Sequence, residues 1–166
     1  MRYHNITKDD LLNGEGLRVV LWVSGCSHHC KGCHNKITWD PDSGLQFDNN
    51  AKQEIFNELD KEYISGITFS GGDPLYLGNV LEVYEFIMII KNKYPDKNIW
   101  LYTGYTLEQL VLKDNVFING ILNNIDVLVD GQFMEELKDI KYKWAGSTNQ
   151  RVLNKEQIQE IIKSMV

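Results

Sequence analysis

The sequence lacks the features that mark exported, membrane-spanning or nucleic-acid-binding proteins. Its first residues, MRYHNITKDDLLNGEG, contain no apolar signal core, and we therefore expect a cytoplasmic protein. The longest apolar run, around Phe86–Ile90, is far too short to span a membrane. The formal net charge is −6, so nothing in the composition attracts a polyanion, and we expect no nucleic-acid partner.

Cysteine is scarce and odd in number. The 166 residues include three cysteines, and an odd count in a cytosolic protein argues against a disulfide framework. All three, Cys26, Cys30 and Cys33, lie in the stretch SGCSHHCKGCHNKITWD, residues 24–40. The residues between them, SHH and KG, are too polar for a core, which disfavours three buried free thiols.

The spacing of these cysteines points to a metal centre. Three thiolates on one short loop can converge on a soft metal. Zinc would need a fourth ligand, for which His28, His29 and His34 are the nearby candidates. A [4Fe–4S] cluster normally takes four cysteines, so a loop with three would leave one iron open for a ligand from outside the protein. The spacing alone leaves both possibilities open.

Apolar strands alternate with amphipathic helices along the chain. The strands are predicted at residues 17–24, 65–72, 98–105 and 125–131, and the helices at 50–61, 77–94, 106–112 and 154–166. This alternation predicts an α/β fold with mainly parallel strands. No repeat or linker divides the chain, so we expect residues 1–166 to form one domain. A complete eight-stranded barrel needs about 250 residues, which favours an open partial (β/α) barrel or a doubly wound sheet.

The unusual residues follow the ends of the predicted strands. The cysteine stretch follows the first strand, residues 70–74 (SGGDP) follow the second, and residues 103–105 (TGY) follow the third. Asp130 and Gly131 follow the fourth. Because ligands of parallel sheets bind at the carboxyl ends of the strands, these residues are predicted to share one site.

Taken together, the motifs resemble a known family. CSHHCKGCHNKITW, FSGGDPL, LYTGY, VDGQF and STNQR are similar to motifs of the radical S-adenosylmethionine superfamily, and most similar to the branch that activates anaerobic ribonucleoside-triphosphate reductase. The resemblance covers nearly the whole chain and includes Asn35 and Trp39. Many superfamily members carry an aromatic residue before the last cysteine, whereas this chain has Gly32, as the activase branch tends to have.

The resemblance implies a cofactor set and a partner. Cys26, Cys30 and Cys33 would hold three irons of a [4Fe–4S] cluster, and S-adenosyl-L-methionine would chelate the fourth. One-electron cleavage would give a 5′-deoxyadenosyl radical, which would form a glycyl radical on the large subunit of the reductase. The electron would come from a flavodoxin- or ferredoxin-type donor.

The resemblance also assigns roles around the cysteines. Gly71 and Gly72 would let the cofactor amino group approach the backbone, although a plain strand-to-helix turn would use glycine too. Asp73 would receive that amino group or cap the following helix. Gly32 and His34 would flank the adenine.

Most of the remaining candidates have both a functional and a structural interpretation. His28 and His29 are predicted to face solvent. Asp130 would contact the cofactor or the partner's glycine loop, or serve as a turn aspartate. Tyr102 and Tyr105 would line an adenosine pocket or belong to the core, and Arg151, beside Asn149, would bind a cofactor carboxylate or form a surface ion pair.

Two other functions are compatible with the cysteine loop. One is a different radical enzyme of the same superfamily, such as a pyruvate formate-lyase activase or a small-molecule enzyme. Those proteins are generally longer and differ after the last cysteine, where this chain reads CHNKITW. The other is a zinc-binding interaction module without catalysis.

Overall fold

The computed structural model describes all residues from Met1 to Val166. Seven strands form one sheet in the order β3-β1-β2-β4-β5-β6-β7. The strands are β1 (Arg2–Asp10), β2 (Arg18–Val23), β3 (Leu45–Gln46), β4 (Gly66–Gly71), β5 (Asn98–Tyr102), β6 (Val127–Asp130) and β7 (Arg151–Asn154). The helices are α1 (Asn49–Leu59), α2 (Val80–Lys93), α3 (Leu107–Leu112), α4 (Val116–Asn124) and α5 (Lys155–Ser164). Short 3₁₀ turns lie at Lys36–Thr38 and Glu135–Leu137.

The centre of the sheet is parallel, as the alternation of strands and helices predicts. Strands β2, β4, β5 and β6 are neighbours and run in the same direction. Their register brings Val20, Thr68 and Trp100 side by side across three strands. The outer pairs β1–β2, β1–β3 and β6–β7 are antiparallel. The predicted α/β class with mainly parallel strands is therefore confirmed.

Four elements are absent from the predicted list, namely β1, β3, β7 and α4. Strand β1 lies before the first predicted strand and buries only Tyr3 and Ile6, because most of its side chains are polar. Helix α4 contains Gly120, which weakens helix propensity. A Cβ on Gly120 would lie 2.4 Å from the ring of Tyr84 on α2, so glycine permits the close packing of these two helices.

Side-chain caps define where the helices begin. Thr106 and Gln109 form a capping box at α3. Asn154 and Gln157 form a second box at α5. Helix α1 starts after Asp48, whose side chain accepts a hydrogen bond from a backbone N–H. No helix is both long and apolar enough to cross a membrane.

The two faces of the sheet differ in chemistry. One face packs its apolar side chains, such as Leu21, Phe69 and Leu101, into a core of 29 buried residues beneath the helices. The opposite face carries the fully buried Arg18, whose Nε donates to Thr68 Oγ1 at 2.8 Å and whose guanidinium lies 5.4 Å from the ring of Trp100. Burial lowers the pKa of Arg18 to about 10.

Loops cover that second face. The Arg18 Nη1 donates to the carbonyl of Glu15 at 3.0 Å, and the Thr68 hydroxyl donates to the carbonyl of Asn13 at 2.6 Å. On the other side, the Tyr102 hydroxyl donates to the carbonyl of Trp144 at 2.6 Å. Buried polar groups of the sheet are therefore satisfied by loop backbone.

Candidate functional site

A cavity of ≈ 200 Å³ opens at the carboxyl ends of β2, β4, β5 and β6. The predicted site residues that line it are Cys26, Cys30, Cys33, His34, Gly71, Gly72 and Asp73. Residues from the turns after all four strands thus meet at one place, as expected for a parallel sheet. Gly32 and Asp130 do not belong to the lining.

The cysteine loop is closed at its base by backbone hydrogen bonds. Gly25 N–H donates to the Thr38 carbonyl at 2.7 Å, and Cys26 N–H donates to the Trp39 carbonyl at 3.1 Å. The ring of His29 stacks on the ring of Trp39, with centroids 4.4 Å apart. The loop is therefore a compact unit whose two ends meet, and its three cysteines are presented from within it.

The three thiols are free and partly exposed to the cavity. Burial raises the pKa of the Cys26 thiol. Cys33 Sγ accepts a hydrogen bond from Asn35 N–H at 3.3 Å. A backbone N–H group thus already points at one of the three sulfurs.

The turn after β4 has a packing reason for its two glycines. Gly71 has φ +108°, and a Cβ there would lie 2.5 Å from the backbone nitrogen of Val23. A Cβ on Gly72 would lie 2.5 Å from the carbonyl oxygen of Gly25 and 2.9 Å from that of Thr38. Glycine is required because the backbone of β2 lies against Gly71 and the backbone of the cysteine loop lies against Gly72. Close approach of protein backbone is therefore sufficient to explain both glycines.

Asp73 connects three segments of the cavity wall and is 1% exposed. Its Oδ1 accepts from Leu75 N–H at 2.8 Å, and its Oδ2 accepts from His28 Nε2 at 2.7 Å. The same Oδ2 accepts from the Thr103 hydroxyl and from Gly104 N–H, both at 3.0 Å. The predicted helix-capping role of Asp73 is wrong, because the following helix α2 has Asn79 as its N-cap residue. Asp73 instead accepts hydrogen bonds from protein donors on both oxygens. Its contact with the cofactor amino group stays a prediction.

His28 is placed differently from its prediction. It was predicted to face solvent, but its side chain is 12% exposed and lines the cavity. Its ring lies 4.5 Å from the ring of Tyr105, edge to face, and covers the turn at Gly104. Local sequence gives little warning of this, because a polar loop residue between cysteines is ordinarily solvated. His29, by contrast, is exposed as predicted.

The far wall of the cavity comes from segments that follow β5 and β6. Tyr102 lines the cavity, as one of its two predicted roles requires. Tyr105 does not line the cavity and packs against the ring of His28. His34 is exposed at the cavity edge, 5.9 Å from the ring of Phe133. Gln150 also lines the cavity and was not predicted. Its amide joins the Gly131 carbonyl, at 2.9 Å, to the Gly146 N–H, at 2.9 Å.

Asp130 ends β6 as predicted, but its carboxylate is directed elsewhere. Oδ2 accepts from Leu107 N–H at 2.7 Å, at the start of α3, and Oδ1 accepts from Arg151 Nε at 2.9 Å. Arg151 also binds Glu108 through both terminal nitrogens, at 3.0 and 2.7 Å. This ion-pair network lowers the pKa of Glu108 chiefly through its hydrogen bonds with Arg151. Arg151 is therefore engaged within the protein rather than turned to the cavity.

Gly32 lies just outside the cavity lining, with φ +75°. A Cβ at this position would lie 2.9 Å from Oε1 of Glu135, so the loop packs closely on the segment after β6. The left-handed φ explains why glycine suits the position before Cys33. Glu135 thus fills the space beside the Gly32 Cα, and only the backbone of Gly32 lies near the cysteines.

The donor set suits an iron–sulfur cluster in type and number. No three His, Cys, Asp or Glu side chains converge closely enough to hold one metal ion. A [4Fe–4S] cluster instead binds its thiolates through separate irons. Three free cysteines on one loop, one of them with a sulfur that accepts a backbone N–H group, line the same cavity. These residues fit a cluster held from one side and open on the other.

Comparison with known families agrees with this chemistry. The family model described as 4Fe-4S single cluster domain matches residues 12–153, which include all three cysteines and the whole cavity lining. The fold and the site therefore define an iron–sulfur domain of the single-cluster class.

Similar proteins define the class further. The chain is 43% identical over 152 residues to the anaerobic ribonucleoside-triphosphate reductase-activating protein of Haemophilus influenzae, covering 90% of this chain and 96% of that protein. It is 41% identical over 152 residues to the protein of the same name from Enterobacteria phage T4, covering 92% and 93%. The Escherichia coli K12 protein of that name is 42% identical over 154 residues, covering 92% and 97%. The chain belongs to the family of anaerobic ribonucleoside-triphosphate reductase-activating proteins, and the predicted resemblance is confirmed.

Proposed function

We propose that this chain activates anaerobic ribonucleoside-triphosphate reductase by radical S-adenosyl-L-methionine chemistry at a [4Fe–4S] cluster. The observation that carries the proposal is the meeting of Cys26, Cys30 and Cys33 with the Gly71-Gly72 turn in one cavity, in a member of the activating family. Three protein thiolates leave one iron of the cluster without a protein ligand. That vacancy in the ligand set is the reason why three cysteines suffice.

The protein residues divide into ligands and walls. Cys26, Cys30 and Cys33 would hold three irons, and the backbone around Gly71 and Gly72 would face the amino acid part of S-adenosyl-L-methionine. The exposed ring of His34 and the backbone of Gly32 would lie near the adenine. When bound, the cofactors would supply one-electron cleavage of the sulfonium C–S bond and thereby the radical chemistry that would remove a hydrogen atom from a glycine Cα of the reductase large subunit.

The other predicted site residues have supporting roles in this proposal. Asp73 holds the walls together through its four hydrogen bonds. Asp130 joins β6 to α3 and β7 and so positions the wall that contains Gly131. A flavodoxin- or ferredoxin-type protein would deliver the electron. The cavity walls limit access of water to the reacting atoms.

We further propose that residues 1–166 act as a single open partial (β/α) barrel of the radical S-adenosyl-L-methionine type. Three features support this: the sheet has β3 and β7 as its two edges, one core of 29 residues packs on it, and the cavity lies at the carboxyl ends of its parallel strands.

The test begins with protein purified without oxygen. We expect a brown protein with about four iron and about four sulfide per chain. Colourless protein that holds one zinc and no iron would support the interaction module instead. Added S-adenosyl-L-methionine and a chemical reductant should yield methionine and 5′-deoxyadenosine. With the reductase large subunit also present, electron paramagnetic resonance should show a glycyl doublet, and its absence despite cofactor cleavage would point to a different substrate.

A further inference from the structure

The stretch STNQR, residues 147–151, lies at the end of the long loop that joins β6 to β7. This β6–β7 loop, residues 131–150, contains one short 3₁₀ turn and no strand, so its shape depends largely on side-chain contacts. The loop residues that line the cavity are Gly131, Phe133, Gly146 and Gln150. The contacts that hold the loop closed therefore decide where this wall of the cavity lies.

The side chain of Gln150 is hydrogen-bonded to loop backbone at both ends of its amide. Its Nε2 donates to the Gly131 carbonyl at 2.9 Å, where the loop leaves β6. Its Oε1 accepts from Gly146 N–H at 2.9 Å and from Ser147 N–H at 3.1 Å, where the loop returns towards β7. One planar amide thus connects the two ends of the loop and fixes their separation.

Ser147 and Asn149 attach the first half of the loop to the same closure. Ser147 is fully buried, and its Oγ accepts from Met134 N–H at 3.1 Å. Asn149 Nδ2 donates to the Gln132 carbonyl at 2.8 Å. Gln132 Nε2 in turn donates to the His28 carbonyl at 3.1 Å. The closed loop is therefore also joined to the cysteine loop.

Gln150 acts on the cavity through Gly146 and Phe133. A Cβ added to Gly146 would lie 3.0 Å from Cδ2 of Phe133 and 3.5 Å from Oε1 of Gln150. The Gln150 amide thus holds the backbone against which the Phe133 ring packs. The centroid of that ring lies 5.9 Å from the centroid of the His34 ring, at the end of the cavity where the proposed function places the adenine.

We propose that Gln150 is a positioning residue that acts through Gly146 and Phe133: its amide holds the β6–β7 loop closed and so fixes the wall against which S-adenosyl-L-methionine would bind. This inference rests on the proposed function for the identity of the ligand. The closure of the loop is a property of the protein without a cluster, because all of its hydrogen bonds join protein atoms. The two parts can therefore be tested separately.

The first test measures opening of the loop by limited trypsin digestion of cluster-free, reduced protein. Lys138, Lys141 and Lys143 are exposed in the loop, and mass spectrometry of the fragments reports cleavage after each of them. Gln150→Ala should increase these cleavage rates about tenfold, because the loss of one or two net hydrogen bonds raises the population of the open loop. Cleavage after Lys113, which is exposed outside the loop, should stay at the wild-type rate.

Two further variants sharpen this test. Gln150→Glu keeps the size of the side chain but replaces the donor to the Gly131 carbonyl with an acceptor, so it should also speed loop cleavage. Gln157→Ala is the matched control, because Gln157 Oε1 accepts from Asn154 N–H at 2.9 Å but the residue does not line the cavity. It should leave loop cleavage unchanged.

Three results would overturn the closure by Gln150. One is equal loop cleavage in wild type and Gln150→Ala. Another is an equally large increase in Gln157→Ala. The third is an increase after Lys113 as large as that in the loop, because this would indicate global unfolding instead of local opening.

The second test uses protein that carries its cluster, a chemical reductant and varied S-adenosyl-L-methionine. Gln150→Ala should raise the KM for 5′-deoxyadenosine formation about fivefold and lower kcat by a smaller factor, because the displaced wall weakens binding while the three cysteines are retained. Gly146→Ala should raise KM in the same way, since its Cβ would displace the Phe133 ring. A KM unchanged in both variants would overturn the positioning role. Wild-type protein that binds no cluster would instead refute the proposed function, and the trypsin result would then decide on the loop closure alone.

Discussion

Two glycines with similar φ angles and different surroundings provide a direct measure of how tightly the end of β4 is packed against β2. Gly71 has φ +108° and Gly131 has φ +98°, so alanine is strained at both. The added Cβ on Gly131 would have its nearest neighbour at 3.6 Å, which is ordinary contact. On Gly71 it would lie 2.5 Å from Val23 N and 2.6 Å from Val23 O, which are backbone atoms of β2.

The expected free energies follow from these distances. Backbone strain should cost either alanine variant about 1–3 kcal/mol of unfolding free energy. Gly71→Ala should lose a further ~1–3 kcal/mol through overpacking, because the opposing atoms belong to the central sheet and cannot rotate away. The difference between the two variants is therefore expected to be about 2 kcal/mol, with Gly71→Ala the less stable.

Urea unfolding of the cluster-free protein, kept reduced and followed by circular dichroism, measures that difference without any contribution from a cofactor. The wild-type chain provides the slope and midpoint for comparison. Equal destabilisation in Gly71→Ala and Gly131→Ala would refute the packing explanation for Gly71. It would then leave ligand approach as the reason for a glycine after β4.

Three other predictions concern single side chains. Cys30→Ala should lower iron and sulfide content and abolish 5′-deoxyadenosine formation while far-UV circular dichroism stays near wild type; retained cofactor cleavage would contradict its role as a ligand. Glu108→Gln should lower the unfolding free energy by about 0.5 kcal/mol at neutral pH. Because the pKa of Glu108 is depressed in the folded state, this loss of stability should vanish as the pH falls below the ordinary value of 4.5 and the wild-type carboxyl becomes protonated. A pH-independent difference between the two proteins in urea titrations would refute the ion pair as its cause. Arg18→Met should cost about 3 kcal/mol in the same assay, since buried acceptors such as the Ile67 carbonyl lose their donor, and a variant as stable as wild type would show that the guanidinium is not required.

The parts of the fold that could be predicted are those with strong local patterns. Strands β2, β4, β5 and β6 are continuous apolar runs, and α2 and α5 have long amphipathic patterns, so their existence follows from periodicity. Strand β1 escapes this reasoning because it lies near the edge of the sheet and most of its side chains are polar. Helix α4 was not predicted because Gly120 lowers its helix propensity, and the contact of Gly120 with Tyr84 cannot be read from the sequence.

The site shows the same division. The cysteine spacing and the positions of Gly71, Gly72 and Asp73 after a strand indicate where a site should lie, because parallel strands end at a common edge. The partners of Asp73 could not be predicted, since His28 and Thr103 lie 45 and 30 residues away in sequence. The same holds for Asp130 and Arg151, whose pairing depends on the antiparallel register of β6 and β7.

By itself the sequence determined the chemistry of this protein: three soft ligands on one polar loop, at the end of a strand, in a chain of alternating strands and helices. The tertiary structure decided which side chains face the cavity and which hold its walls. His28, predicted to face solvent, lies in the cavity wall, and Arg151 pairs with Asp130 and Glu108. The physical reason is that ligand type is a property of each residue, whereas hydrogen-bond partners are set by long-range packing that brings distant turns together.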